Sequence, residues 1–402
     1  MFVFNYLENN FNKMDQLLID LFLAYFSARK NKRNALSALE FELNYEKEIF
    51  KLYQELKSGN YEISKSSAFI IFDPVQREII ASSFRDRVIH HLIFNYINPI
   101  FEPTFIYDSY SCRKNKGTHF GIKRVSKFIK SCSNNYQNNC YVLKLDLSGY
   151  FMNINHNILY KKIEKKILEN KNICNFDYQL ILKLIKKIIF NNYAKNCLIK
   201  GSFKNWQGLP KNKSLFFAKK NCGLPIGNLT SQLFSNIYLN DLDHFIKRKL
   251  KIKYYGRYVD DLIIIHKDKN YLKNLKIIIE KYLKDNLNLE LNYKKNYLQN
   301  YYKGFKFLGV IIKPYRIYIS NRIKHNFYIK IGKINNIIKN NEINVKSKAI
   351  LSVINSYLGI IKHYNTYNLR KKILTKIFCK SLFNSYRVNN SNYYKVIISD
   401  YC

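Results

Sequence analysis

The sequence predicts an α+β protein built from several packed subdomains. Three observations carry this reading. Helical periodicity dominates both ends of the chain, β-rich segments occupy its centre, and those segments bring aspartates to a strand end and to a hairpin tip. At 402 residues the chain exceeds one ordinary domain, and its 47% apolar content can bury a sizeable core.

From about residue 12 to residue 58, apolar side chains recur near every 3.6 positions: Leu17, Leu18, Leu21, Phe22 and Tyr25, then Phe41, Phe50, Leu52, Tyr53 and Leu56. This predicts two helices, the second closed by Gly59. Phe69 to Phe72 and Arg77 to Ile80 read as short strands around an Asp73-Pro74 turn, and helical spacing resumes from Phe84 to Tyr96. Tyr141 to Leu147 alternates, so Asp146 falls at the end of a strand. A Lys-rich helical region over 157–192 leads into a loop with Trp206, Gly208 and Pro210 and on to Gly223. Ser231 to Leu250 reads as one long helix. Tyr254 to His266 is the best hairpin, with Tyr255, Tyr258 and Leu262 to Ile265 flanking the polar pair Asp260-Asp261. Beyond Ile319 the pattern is helical and basic to near Tyr386, and no fixed-period repeat or long linker interrupts the chain.

Lys and Arg number 68 against 28 Asp and Glu, and a net charge of +40 spread along the chain favours a polyanionic partner, nucleic acid first and an anionic membrane second. The abundance of Asn, Ile and Tyr also fits translation of an A/T-rich genome, which accounts for part of the lysine. The eight cysteines form no Cys-x-x-Cys pair and no regular spacing, against a zinc ribbon or a disulfide framework. Reduced thiols in the cytoplasm are expected. Acidic Glu8 and Asp15 and the absence of a small-residue cleavage site argue against a signal peptide, and the stretch from Leu17 to Phe26 is too short to span a bilayer. No membrane association is expected.

Asp146 and the pair Asp260-Asp261 suggest a chemistry. Phosphoryl transfer from a nucleoside triphosphate uses two divalent cations, and magnesium takes oxygen ligands. Carboxylates at a strand end and at a facing hairpin tip supply them. Asp-Asp at a turn is ordinarily only turn chemistry, yet that explains neither the Tyr258-Val259 prefix nor the apolar strands clasping the acids.

Tyr258-Val259-Asp260-Asp261 resembles the Tyr-x-Asp-Asp box of reverse transcriptases, and Leu143 to Phe151 (LKLDLSGYF) resembles their first palm motif. Further segments follow in the same order. Gly223 to Gln232 (GLPIGNLTSQ) looks like the nucleotide- and template-handling motif, Leu287 to Asn296 (LNLELNYKKN) like the motif with a proton-donating lysine, and Phe307-Leu308-Gly309 like the primer grip. Upstream, Arg77 to Ile80, Phe84 to His91 and Tyr107 to Thr118 resemble the fingers motifs. Ile226-Gly227 and Ser231-Gln232, where most relatives carry Gln-Gly and Ser-Pro, resemble the diversity-generating retroelement group, as do the 208–216 loop and Asn355 to Arg370.

The resemblance implies a right-hand polymerase: an N-terminal helical extension (1–60), fingers (61–140), a palm with an antiparallel sheet (141–310, with a finger-side insertion at about 157–222) and a helical thumb (311–402). It implies RNA-templated synthesis of DNA, with Asp146, the Leu147 carbonyl, Asp260 and Asp261 holding two Mg2+ ions, for which Mn2+ is a substitute. Lys295 would protonate the leaving pyrophosphate, a solvated surface lysine being the alternative. Phe151 matches the steric gate against a ribose 2′-hydroxyl, with ordinary packing as the alternative. Arg77 and Arg85 are candidates for the triphosphate, Arg77 preferred, with salt bridges to Glu78 or Asp86 as the plainer use. Ile226, Gly227 and Gln232 would handle the dNTP and the template. His90 and His91 lack a third ligand and read as structural or RNA-contacting. Arg322, Lys324, Lys330, Lys333 and Lys339 suit a thumb that tracks an RNA/DNA hybrid. Expected partners are template RNA, the hybrid, dNTPs and a small basic helical accessory protein. Endonuclease and RNase H activities are expected to be absent. The rivals are a phage-defence reverse transcriptase and a non-catalytic intron maturase, the latter opposed by the intact acids.

Overall fold

A computed structural model of the chain describes residues 15–30, 32, 35–73, 75–339, 348–377, 386–388, 393 and 395–398. Glu8, Pro74, Cys379 and Cys402 lie outside them. The chain separates into two compact units, one formed by 1–117, 144–262 and 273–296, the other by 118–143, 263–272 and 297–402.

The first unit opens with three helices, α1 (Gln16–Arg29), α2 (Leu36–Leu43) and α3 (Tyr45–Ser58), where the periodicity predicted two. The apolar spacing runs on across the α2–α3 junction at Asn44, so the pattern alone conceals the break. Asp15 caps α1 by accepting from Leu17 N (2.9 Å), and Gly59, at φ 75°, ends α3 in the left-handed conformation that glycine adopts without a Cβ clash. Strands β1 (Ser66–Ile71) and β2 (Arg77–Ala81) pair antiparallel, with Ile71 opposite Arg77, close to the expected bounds. The helix α4 (Phe84–Phe101) follows, capped by Ser83.

His90 on α4 is buried between Ser82 Oγ (3.0 Å) and Thr230 Oγ1 (2.8 Å). Burial, helped by the charges of His91 and Arg87, pushes its pKa down to about 3, so it stands neutral as a structural hydrogen-bonding group.

The helical region over 157–192 is two helices, α5 (His156–Glu169) and α6 (Tyr178–Phe190), separated at Lys171–Ile173; Asp177 caps the second. Strand β4 (Cys197–Ile199) then joins β1 in parallel. The next loop is fastened to β2 by one buried carboxylate: Glu78 accepts from Trp206 Nε1 (2.7 Å), Ser214 Oγ (2.5 Å) and Leu215 N (2.7 Å). Glu78 is thus committed to this loop and, among the described residues, forms no ion pair with Arg77 or Arg85.

Helix α7 (Leu229–His244) does not continue to Leu250 as predicted; five residues of π-helix, Phe245–Lys249, follow it. The Leu250 N–H reaches back to Phe245 O (2.9 Å), an i to i−5 bond that widens the turn while keeping Ile246 buried, which is why the hydrophobic pattern runs through it.

Strands β3 (Tyr141–Asp146), β5 (Tyr254–Tyr258), β6 (Asp261–His266) and β7 (Tyr297–Asn300) form a sheet in the order β5-β6-β3-β7. Helix α8 (Lys269–Leu287) follows β6.

The second unit contains an antiparallel sheet of β8 (Phe305–Phe307), β9 (Val310–Lys313) and β10 (Arg316–Ile319). Leu308 and Gly309, with φ of 47° and 85°, make the tight turn between β8 and β9. Helix α9 (Asn321–Lys339) buries Phe327, Ile331 and Ile334 and exposes Arg322, Lys324 and Lys333. Helix α10 (Lys348–Ile361) adds Ile354, Leu358 and Ile361 to the same core, and Leu369 of α11 (Tyr367–Lys372) packs against it. The pattern beyond Ile319 reads as wholly helical, but β11 (Tyr386–Val388) and β12 (Val396–Ile398) pair antiparallel near the end. Strands of three residues are too short to show an alternation.

Glu78→Ala should lower unfolding stability by about 3 kcal/mol, because three buried donors lose their acceptor. Thermal melting, with limited proteolysis of the 203–217 loop, checks this: the loop should become the first cleavage site.

Candidate active site

Asp146 closes β3, and the segment after α8 wraps around it. Asn296 Oδ1 accepts from Asp146 N (2.7 Å), Asn292 N donates to Asp146 O (2.7 Å), and Asn292 Nδ2 donates to Asp146 Oδ1 (3.1 Å). Lys295 Nζ lies 3.1 Å from both carboxylate oxygens of Asp146. Leu147 is buried, in an isolated bridge with Leu291. Spacing alone missed the two asparagines; the only trace was their place beside Lys295 in LNYKKN.

Asp260 and Asp261 stand at the tip of the β5–β6 hairpin. Val259, before them, has φ 53°, a left-handed conformation that a β-branched residue rarely adopts, at a cost of roughly 1–3 kcal/mol. An interaction beneath the tip holds it. Arg257 and Asp243 are both fully buried, with side chains 0% exposed, and Arg257 Nε and Nη2 grip Asp243 at 2.7–3.0 Å. Tyr255 donates to the same carboxylate (2.6 Å), and Asn236 Oδ1 accepts from Arg257 Nη1 (3.2 Å). That same Nη1 donates to Val259 O (3.0 Å), pinning the strained residue. The fingers-like 107–118 segment contributes too: Arg257 N donates to Asp108 O, Tyr110 N to Arg257 O, and Arg257 Nη2 to Ser109 Oγ. Gly256 permits this approach, since a Cβ there would lie 2.3 Å from Tyr110 Oη. The sequence hint was a lone arginine inside the apolar strand YYGRY.

Three carboxylates in one place repel each other. Burial first, then the charges of Asp261 and Asp146, pushes the Asp260 carboxyl up to about 6. Lys144 Nζ sits 2.9 Å from Asp261 Oδ1. Among the described residues, no three His, Cys, Asp or Glu side chains already stand as a metal-ligating cluster. The donor set nonetheless suits a hard divalent cation: its ligands are carboxylate oxygens, and their mutual repulsion would be relieved by positive charge.

The remaining predicted residues fall into two groups. Phe151 and Ile226 each pack against an apolar cluster that includes Ala68, Ile70, Ile80, Trp206 and Leu215. The Ile226 carbonyl accepts from Ile80 N (3.0 Å), and Gly227 (φ 138°) presses on β2, where a Cβ would come within 3.1 Å of Ile80 O. Gln232 and Arg77 are exposed and not drawn into the carboxylate cluster. Arg85 is engaged elsewhere: it pairs with Glu55 and Asp86, donates to Glu62 O and lies over the Tyr61 ring.

The family model described as reverse transcriptase (RNA-dependent DNA polymerase) matches residues 75–312, more than half of the chain. The chain belongs to the reverse transcriptase family. The right-hand polymerase fold expected from the motifs is the fold of this family. This reverse transcriptase is 27% identical over 221 residues to the group II intron-encoded protein LtrA of Lactococcus lactis subsp. cremoris, covering 52% of this chain and 30% of that protein. Protein YkfC of Escherichia coli (strain K12) is 23% identical over 220 residues, 55% of this chain and 49% of that one. The chain thus spans less than half the length of these relatives. A solved structure of telomerase from Candida albicans with a TWJ fragment of telomeric RNA has a TM-score of 0.46 and 13% identity, covering 80% of this chain and 55% of that chain. Among the described residues, no helix is long and apolar enough to cross a membrane.

Arg257→Met should cost this reverse transcriptase about 3–5 kcal/mol, because Asp243 is left buried and unpaired. The double variant Arg257→Met/Asp243→Leu should recover much of that loss in thermal melts, which simple additivity of two damaging changes would not give.

Proposed function

We propose that this reverse transcriptase copies an RNA template into DNA, and that it does so as the polymerase of a diversity-generating retroelement. The observation that carries the polymerase reading is the convergence of Asp146, Asp260 and Asp261, braced by Arg257 and Asp243 below and by Asn292 and Asn296 at the side. An RNA-binding protein without catalysis has no need to sustain that repulsion.

In this reading the three aspartates and the Leu147 carbonyl would hold two divalent cations, Mg2+ or in its place Mn2+. Bound there, the ions would acidify the primer 3′-hydroxyl and neutralise the leaving pyrophosphate. Lys295, whose side chain is 54% exposed, can leave Asp146 and deliver a proton to the leaving group. The Phe151 ring offers an apolar wall against a 2′-hydroxyl, which selects deoxynucleotides. Arg77 is the better candidate for the triphosphate, since the Arg85 guanidinium already pairs with Glu55 and Asp86. Ile226, Gly227 and Gln232 would face the nascent base pair and the template. The exposed basic face of α9 suits phosphates of an RNA/DNA hybrid. A small basic helical protein is the further partner expected of the retroelement.

The retroelement assignment rests on Ile226. An isoleucine side chain can neither donate nor accept a hydrogen bond at a position where most reverse transcriptases place glutamine. Its packing on the same apolar cluster as Phe151 supports the idea that the pocket checks the nucleotide by shape rather than by hydrogen bonding.

Asp260→Asn and Asp146→Asn should each abolish primer extension on RNA while circular dichroism stays unchanged; a double variant that extends at the normal rate would rule out the carboxylate assignment. Ile226→Gln should lower the error rate, each ~1.4 kcal/mol of recovered discrimination being about tenfold. Sequencing of cDNA made on a defined RNA measures it, with errors of the unaltered chain expected to concentrate opposite template adenines. Equal accuracy at all four bases would remove the retroelement assignment and leave a plain or defence reverse transcriptase.

A further inference from the structure

Two lysines enter the carboxylate cluster, and they differ in how they are held. Lys295 reaches Asp146 from the 287–296 segment, with its side chain 54% exposed. Lys144 stands on β3 two residues before Asp146, and the two-residue repeat of a strand puts both side chains on one face of the sheet. Its ammonium lies 2.9 Å from Asp261 Oδ1, and its side chain is only 14% exposed. An enclosed charged group is costly unless paired, and Asp261 supplies the partner here. Strand β3 therefore carries a cation and an anion side by side, the cation meeting the first residue of β6. Asp260 has no such ion pair among the described residues.

We propose that Lys144 is a positioning residue: a built-in counter-ion that holds Asp261 and weakens binding of a bare divalent cation to the cluster. This rests on the divalent-cation reading given above. A cation that recruits Asp261 must first displace the ammonium from it, and water screens an enclosed pair less than an exposed one. The incoming triphosphate brings negative charge of its own, which offsets the lysine. Tight cation binding is thereby tied to the presence of nucleotide, and the empty site is kept from trapping ions without substrate. Lys295 cannot serve in the same way, because its exposed side chain is free to move aside.

Electron paramagnetic resonance of Mn2+, titrated into the chain without nucleotide or RNA, tests this. Lys144→Gln should bind Mn2+ about tenfold more tightly than the unaltered chain, the effect of removing one enclosed charge. Lys144→Arg, which keeps the charge, should bind as the unaltered chain does. In an Asp261→Asn background the gain from Lys144→Gln should shrink to near nothing, which a merely structural lysine would not produce. Equal affinity in the unaltered chain and Lys144→Gln overturns the proposal, as does an undiminished gain in the Asp261→Asn background. Absence of Mn2+ binding in the unaltered chain and in Lys144→Gln alike removes the divalent-cation reading itself, and the role of Lys144 with it.

Discussion

Like charges do not gather in a partly buried place unless something compels them. The cluster of Asp146, Asp260 and Asp261 is the constraint on which the surrounding architecture depends. Its cost shows in Asp260, whose carboxyl holds its proton up to about 6. Compensation comes from two directions. Below, the buried pair Arg257–Asp243 fixes the carbonyl of Val259 and so keeps the hairpin tip in a conformation it would not choose alone. Alongside, Lys144 and Lys295 each meet one of the acids. A buried ion pair is a poor source of stability but a good means of specifying one geometry. Here the geometry specified is that of two adjacent carboxylates.

The second organised region is the patch that Phe151 and Ile226 share, and it depends on a different buried acid. Glu78 ties the Trp206 and Ser214 loop down on β2, closing the apolar cluster that those two side chains lie against. Ile80 takes part in both, packing into the cluster through its side chain and holding the Ile226 carbonyl through its backbone. The part of the chain proposed to judge the nucleotide is thus positioned by backbone pairing and apolar packing, and the part proposed to do chemistry by charge.

Much of this was legible because the signals are local. The alternation of Tyr141 to Leu147 and the clasped pair Asp260-Asp261 depend on neighbours only a few residues away, and all three strands lie where the sequence pattern puts them. What escaped depends on partners that stand on other elements. Arg257 and Asp243 sit on a strand and a helix, and nothing in either segment announces that they meet. Glu78 offered two nearby arginines as partners and instead serves a loop more than a hundred residues later. Arg85 looked available for phosphate and is held by Glu55, which the spacing of α3 alone could not reveal. The π-turn after His244 and the short β11–β12 pair escaped for another reason: neither changes the hydrophobic period enough to be read.

Templated incorporation of a single nucleotide tests the central claim most directly. The unaltered chain would be given a DNA primer on four RNA templates that differ only in the first templating base, with Mg2+ and one labelled deoxynucleotide at a time. The account predicts that the complementary deoxynucleotide is added best on every template and that ribonucleotides are added poorly. Addition of the same nucleotide whatever the template, or no addition to any primer, would contradict it.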